Sequence, residues 1–115
     1  MAPKKILILE DDVLLAQGLT RDLESLGLEV LGPAFDCGAA LELLLRDTPD
    51  LAILDTHLGE ETCEVVLEQC LVQNVPVLIS TGQDQREVPV FAAGHRRLGK
   101  PYIIDQLPLA IGLVA

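Results

Sequence analysis

The sequence predicts an α/β protein in which a parallel β-sheet is covered by helices on both faces. Two observations carry this. Short β-type apolar runs alternate with stretches of helical periodicity in the order β-α-β-α-β-α-β-α-β-α. Half of the 115 residues are hydrophobic and only three are aromatic, the aliphatic composition of strands sandwiched between helices. This length leaves room for a single domain over residues 1–115, large enough to bury a real core.

The elements follow in order. Lys5 to Leu9 is a β-type run that stops at Glu10-Asp11-Asp12. From Val13 to Leu26 the periodicity is helical, with Leu14, Leu15, Leu19, Leu23 and Leu26 on one side and Gly27 ending the helix. Glu29 to Gly32 reads as a second strand, and Cys37 to Arg46 as a second helix that stops before Pro49. A third strand, Leu51 to Leu54, ends at Asp55, and Thr62 to Gln73 forms a third helix. Val75 to Ser80 is a fourth strand ending at Thr81-Gly82. Pro89 interrupts Gln83 to Arg96, so the fourth helix is expected to be short or irregular. Arg97 to Gly99 is a brief fifth strand before Lys100-Pro101, and Asp105 to Val114 a final helix with Pro108 in its first turn.

Charge and cysteine usage narrow the function classes. A formal net charge of −10 opposes general nucleic-acid binding, because the phosphate backbone would be repelled. It suits protein partners and divalent cations. Runs such as Leu51 to Leu54 and Val75 to Ile79 are too short to span a bilayer, and Lys4-Lys5 leads straight into a strand and then acid rather than into a signal peptide. A soluble, cytoplasmic protein without membrane insertion is expected. Cys37, Cys63 and Cys70 are odd in number and lack CxxC spacing, so they are read as small core residues.

In a parallel sheet, chemistry gathers beyond the carboxyl ends of the strands. That rule singles out Glu10, Asp11, Asp55, Thr81 and Lys100. Asp11 and Asp55, with Glu10 behind them, offer hard oxygen ligands of the kind Mg²⁺ takes alongside several waters. Asp55 can act as a nucleophile toward a phosphoryl group, forming an acyl phosphate. Lys100 would neutralise the transferring oxygens and Thr81 would donate a hydrogen bond to one of them. Each residue also has a plain structural reading. Acids after a strand favour a helix N-terminus, Asp55 could be an N-cap, Thr81 a turn residue and Lys100 a surface cation. Their joint occurrence at the ends of strands one, three, four and five is what chance explains poorly.

Over essentially its whole length the sequence resembles the receiver domains of two-component response regulators. Ile6-Leu7-Ile8-Leu9-Glu10-Asp11-Asp12 is similar to that family's first strand and acidic pair, and Leu51-Ala52-Ile53-Leu54-Asp55 to its phosphoacceptor strand. Val75-Pro76-Val77-Leu78-Ile79-Ser80-Thr81-Gly82 matches the fourth strand with its hydroxyl residue, and Lys100-Pro101-Tyr102 the lysine before a proline. The resemblance implies a flavodoxin-like (βα)5 fold, doubly wound, with strand order 2-1-3-4-5. It also implies phosphorylation of Asp55 by a histidine kinase or histidine phosphotransfer protein, and a downstream protein target. Mg²⁺ (or Mn²⁺) would be held by Glu10, Asp11, Asp55 and the backbone carbonyl of His57, whose imidazole is not implicated. Such a domain assists its own phosphorylation and dephosphorylation and is regulatory rather than an enzyme.

Three departures stand out. Gly59 replaces the usual proline four residues after the acceptor, the segment between Thr81 and Lys100 is short, and Arg97 occupies the position of the family's aromatic switch residue. They put the usual Thr–aromatic signalling route in question and leave the chemistry intact. Arg97 is expected at the surface, near Asp84 and Glu87, as part of a partner-binding face, because burying an unpaired guanidinium is costly. The plain alternative is a solvated arginine beside Arg96.

Rival readings fare less well. A haloacid-dehalogenase-like phosphatase normally carries its nucleophile on the first strand with an Asp two residues later; here the first strand carries Glu10-Asp11, and the residue two after Asp55 is His57. A pseudo-receiver that no longer switches has no need for the intact acidic pair, acceptor, Thr and Lys. A flavodoxin-like cofactor binder would need a phosphate-cradling loop rich in Gly, Ser and Thr after strand one. Whether the chain acts alone or within a longer protein is left open by the sequence, as are the cognate kinase and the oligomeric state.

Overall fold

Period-two alternation along the apolar runs sorts the strand residues onto two buried faces. The computed structural model describes residues 4–81 and 95–99, with backbone alone for Thr81, Arg96, Leu98 and Gly99. The elements are β1 (Lys5–Leu9), α1 (Val13–Ser25), β2 (Glu29–Ala34), α2 (Cys37–Arg46), β3 (Leu51–Asp55), β4 (His57–Leu58), β5 (Glu61–Thr62), α3 (Glu64–Val72), β6 (Val77–Thr81) and β7 (Arg96–Gly99). The main sheet has the order β2-β1-β3-β6-β7, and every pairing in it is parallel. Counting only its own strands, that is the expected order 2-1-3-4-5. Predicted elements at Gln83 to Gly94 and Asp105 to Val114 lie outside the described residues.

One face carries Ile6, Ile8, Leu51, Ile53 and Leu78, closed by Leu19 and Leu23 of α1 and by Leu28. The other carries Leu7, Leu9, Ala52, Leu54 and Ile79 against Cys37, Ala40 and Leu44 of α2 and Val66, Leu67 and Cys70 of α3. Each such aliphatic side chain removed from water contributes about 1.5–3 kcal/mol. The centre of the sheet, β1 and β3, is therefore dry on both sides, and its carboxyl ends are held rigidly.

Helix boundaries follow local chemistry. Asp12 caps α1, its Oδ1 accepting from the Leu15 N–H at 3.1 Å, and Asp36 caps α2 by accepting from the Ala39 N–H at 2.8 Å. Gly27, at φ 84°, ends α1 as expected: its N–H donates to the Glu24 carbonyl and the Leu28 N–H to that of Leu23. The buried stripe of α1 is Ala16, Leu19 and Leu23, whereas Leu14 is 80% exposed and Leu15 and Leu26 are half-buried. Leu14 is thus not on the core side. The narrow stripe leaves room for small Ala16 against the sheet, and Leu14 falls off it.

Three further boundaries differ from the sequence reading. β2 runs on through Pro33 to Ala34, which an edge strand allows, with its register shifting between Leu7 and Leu9 of β1. β6 starts at Val77 because Val75 N–H is spent on the Cys70 carbonyl, closing α3, and Pro76 has no N–H to give. Finally, α3 begins at Glu64 rather than Thr62, since Glu61 and Thr62 pair with Leu58 and His57 in a small antiparallel ribbon. Gly59, at φ 65°, makes its turn.

Candidate functional site

The β1–β3 register sets Leu9 beside Leu54, so the residues leaving β1 stand next to Asp55, the last residue of β3. Carboxylate oxygens of Glu10, Asp11 and Asp55 all lie within 4.8 Å of one another. Glu10 is 1% and Asp55 5% exposed, while Asp11 faces solvent. The third acid of the run, Asp12, does a different job as the cap of α1, and its own N–H donates to Glu10 Oε2 at 3.3 Å. Asp55 is no helix cap. It ends a fully buried strand, and one of its oxygens accepts from the His57 N–H at 3.3 Å.

Ser80 of β6 is in register with Asp55, which brings the Thr81 backbone to the same sheet edge one residue further on. Thr81 is in turn in register with Gly99 of β7, the residue before Lys100. The side chain of Thr81 and the whole of Lys100 lie outside the described residues. Of the sequence-predicted site residues, Glu10, Asp11 and Asp55 are brought together. His57 follows in β4 with an exposed ring, whose Nδ1 is 2.9 Å from Thr56 Oγ1 and which is not part of the carboxylate cluster.

The segment after Asp55 is tied down at both ends. The Cys63 N–H donates to the Thr56 carbonyl at 3.3 Å, and the Cys37 thiol at the start of α2 donates to the Thr62 carbonyl at 3.2 Å. Sequence reasoning missed this ribbon; the available signal was Gly59 in place of a proline. All three cysteines are buried, as expected. Burial pushes Cys63 up to about 12 and Cys70 to about 11, and raises Cys37, with nearby acids adding to the effect there. Thiols held protonated in this way are poor nucleophiles and poor metal ligands. The chemistry of this edge belongs to the carboxylates, a donor set suited to a small hard dication.

Among the described residues no helix is long and apolar enough to cross a membrane. No protein-family model matches the chain. The response regulator MprA of Mycolicibacterium vanbaalenii is 30% identical over 91% of this chain and 47% of its own length. The chain spans about half the length of the curated relatives it matches. Among solved structures, the signal receiver domain of a modulated diguanylate cyclase from Desulfovibrio desulfuricans superposes with a TM-score of 0.84 at 29% identity, covering 98% of this chain and 93% of that one. A response regulator from Burkholderia pseudomallei, solved with a phosphorylated aspartic acid, calcium ion and citrate, gives a TM-score of 0.81 at 26% identity over 94% of this chain and 66% of its own. Sheet order, the acidic edge and these likenesses agree, and the chain belongs to the receiver domains of response regulators.

Proposed function

We propose that this receiver domain is a phosphoacceptor switch in which Asp55 takes a phosphoryl group from a phosphohistidine on a histidine kinase or phosphotransfer protein. The observation that carries the reading is the buried Asp55 carboxylate at the sheet edge, within 4.8 Å of Glu10 and Asp11. An Asp55 oxygen forms the new P–O bond as the P–N bond to the donor imidazole breaks, and the imidazole recovers a proton. Rigid strands on both sides hold the nucleophile in place, so the chain contributes mainly positioning. Glu10, Asp11, Asp55 and the His57 carbonyl would hold Mg²⁺ or Mn²⁺. Bound there, the dication would offset repulsion between the anionic donor and acceptor. Thr81 ends β6 and Lys100 is the next residue after β7; in this reading their side chains would contact the phosphoryl oxygens, and their closing on it would shift the domain toward its active conformation.

In this reading the domain turns over no separate substrate, and its output is a protein contact. The dehalogenase-like alternative gains nothing, since the matched relatives are response regulators and the candidate nucleophile is on β3. Intact mass before and after acetyl phosphate with Mg²⁺ tests the proposal. One phosphoryl group is expected on the wild type and none on Asp55→Asn. Uptake that survives in Asp55→Asn, or that persists in excess chelator, would overturn it.

A further inference from the structure

The ribbon that follows Asp55 is too small to hold its own shape. Each of its strands, His57–Leu58 and Glu61–Thr62, is two residues long, and even a longer two-stranded hairpin is marginal in water. Two ties to the body of the domain make up for this. On β4, Leu58 is buried in the core cluster that α2 and α3 share. On β5, the Thr62 carbonyl accepts from the Cys37 thiol at 3.2 Å. Cys37 is itself well fixed. It is the first residue of α2, next to the Asp36 cap, and it is buried in the same cluster. Burial, with Glu61 and Asp36 nearby, raises its pKa, so the sulfur keeps the proton that it donates.

Pairing within the ribbon decides where its carbonyls point. Bonded and non-bonded residue pairs alternate along an antiparallel ladder. The Cys63 N–H donates to the Thr56 carbonyl, so the next pair, His57 and Thr62, is a non-bonded one. The polar backbone groups of such a pair leave the ribbon outward, on opposite sides. Those of Thr62 face α2, where the thiol meets the carbonyl. Those of His57 face the acceptor, since its N–H donates to an Asp55 oxygen at 3.3 Å and the carbonyl of an extended residue leaves on the same side as its N–H. We infer that Cys37 is a positioning residue for this site: through Thr62, its thiol fixes the backbone of His57, whose carbonyl is one of the ligands proposed above for the dication. The inference rests on that reading of the site. Cys37 stands outside the carboxylate cluster and acts only through the ribbon. A carbonyl on a ribbon free to swing would lose part of its binding to the cost of being ordered, and the thiol removes that freedom beforehand.

Calorimetric titration of the full chain with Mg²⁺, and amide hydrogen exchange without metal, test this. Cys37→Ala is expected to weaken Mg²⁺ binding about threefold to tenfold, at or below the lower end of what a direct partner of a metal ligand contributes. It should also speed exchange of the His57 and Cys63 amides in the metal-free chain. Cys37→Val keeps apolar volume without a donor and should behave like Cys37→Ala. Cys37→Ser keeps a donor for the Thr62 carbonyl and should recover most of both properties. Cys70→Ala removes a buried thiol from the same cluster, and should lower stability to urea while leaving Mg²⁺ affinity unchanged. Affinity that follows urea stability across these variants, whatever their donor capacity, would show a merely structural role and overturn the inference. Unaltered amide exchange in both Cys37→Ala and Cys37→Val would do the same. No saturable Mg²⁺ binding by the wild type would overturn the site reading and this inference together. Binding that Asp11→Ala weakens, and that Cys37→Ala and Cys37→Val leave intact, would overturn this one alone.

Discussion

Asp11 and Glu10 offer the same functional group in different surroundings, and that decides what losing each one does. Asp11 is exposed and caps nothing, so Asp11→Ala is expected to fold normally. Its apparent Mg²⁺ affinity should fall by at least about tenfold, the lower end of what even an outer partner of a metal site contributes. Mg²⁺ titration of phosphoryl uptake measures this, and an unchanged midpoint would remove Asp11 from the site. The cysteines give a second residue-level expectation. With Cys63 pushed up to about 12 and Cys70 to about 11, alkylation at pH 8 should be slow in the folded chain and complete once it is unfolded. The carboxylate site was legible because the acids sit at strand ends whose apolar runs are unambiguous. The sequence singles out Asp11 and leaves Asp12 aside; that Asp12 caps α1 is shown only by backbone geometry.

At the scale of elements, legibility tracked how many signals agreed. β1 and α2 appear with the expected bounds because apolar pattern, cap and terminator coincide there. For α3 they conflict. Glu61 and Thr62 read as a helix start from sequence, yet their backbone is committed to His57 and Leu58. The face of α1 was misjudged at Leu14 because several leucines crowd one turn and small Ala16 gives no hydrophobic peak. The α2 cap makes a direct test of element stability. Asp36→Ala should cost about 1 kcal/mol in urea unfolding, leaving the Ala39 N–H without its acceptor. Phosphoryl uptake should be retained, because Asp36 stands outside the carboxylate cluster.

Across the whole molecule, the edge of the sheet opposite the site is held by charge. Lys5 Nζ pairs with Asp47 and, at 3.9 Å, with Glu29. Asp50 Oδ2 accepts from the N–H groups of Lys4 and Lys5 at 3.0 and 2.9 Å. The Lys5 side chain holds the Asp47 carboxyl below its usual range, and the backbone N–H groups of Lys5 and Lys4 do the same to Asp50. A carboxyl depressed in the folded state stabilises it above the unfolded pKa, and that stability is lost as pH falls through the folded value. Thermal stability should therefore decline as pH drops below about 4, the ordinary carboxylate range. Asp50→Asn should lower the midpoint at neutral pH and flatten this acid slope. A slope unchanged in the variant would place the acid sensitivity elsewhere.

Because β3 is the middle strand and β1 pairs directly with it, refolding must press Glu10 and Asp11 against Asp55 before the sheet can close. Three negative charges converge in that step, so closure itself works against electrostatic resistance. Refolding in chelator should quicken as monovalent salt is raised and screening shortens the range of the repulsion. Mg²⁺ held as proposed would act at another point on the reaction coordinate, since the three carboxylates come together only after β1 and β3 have paired. In stopped-flow measurements it should therefore slow the unfolding limb and leave the folding limb nearly unchanged. The acidic edge that suits the domain to hold a dication would then make it kinetically durable only while the dication is there.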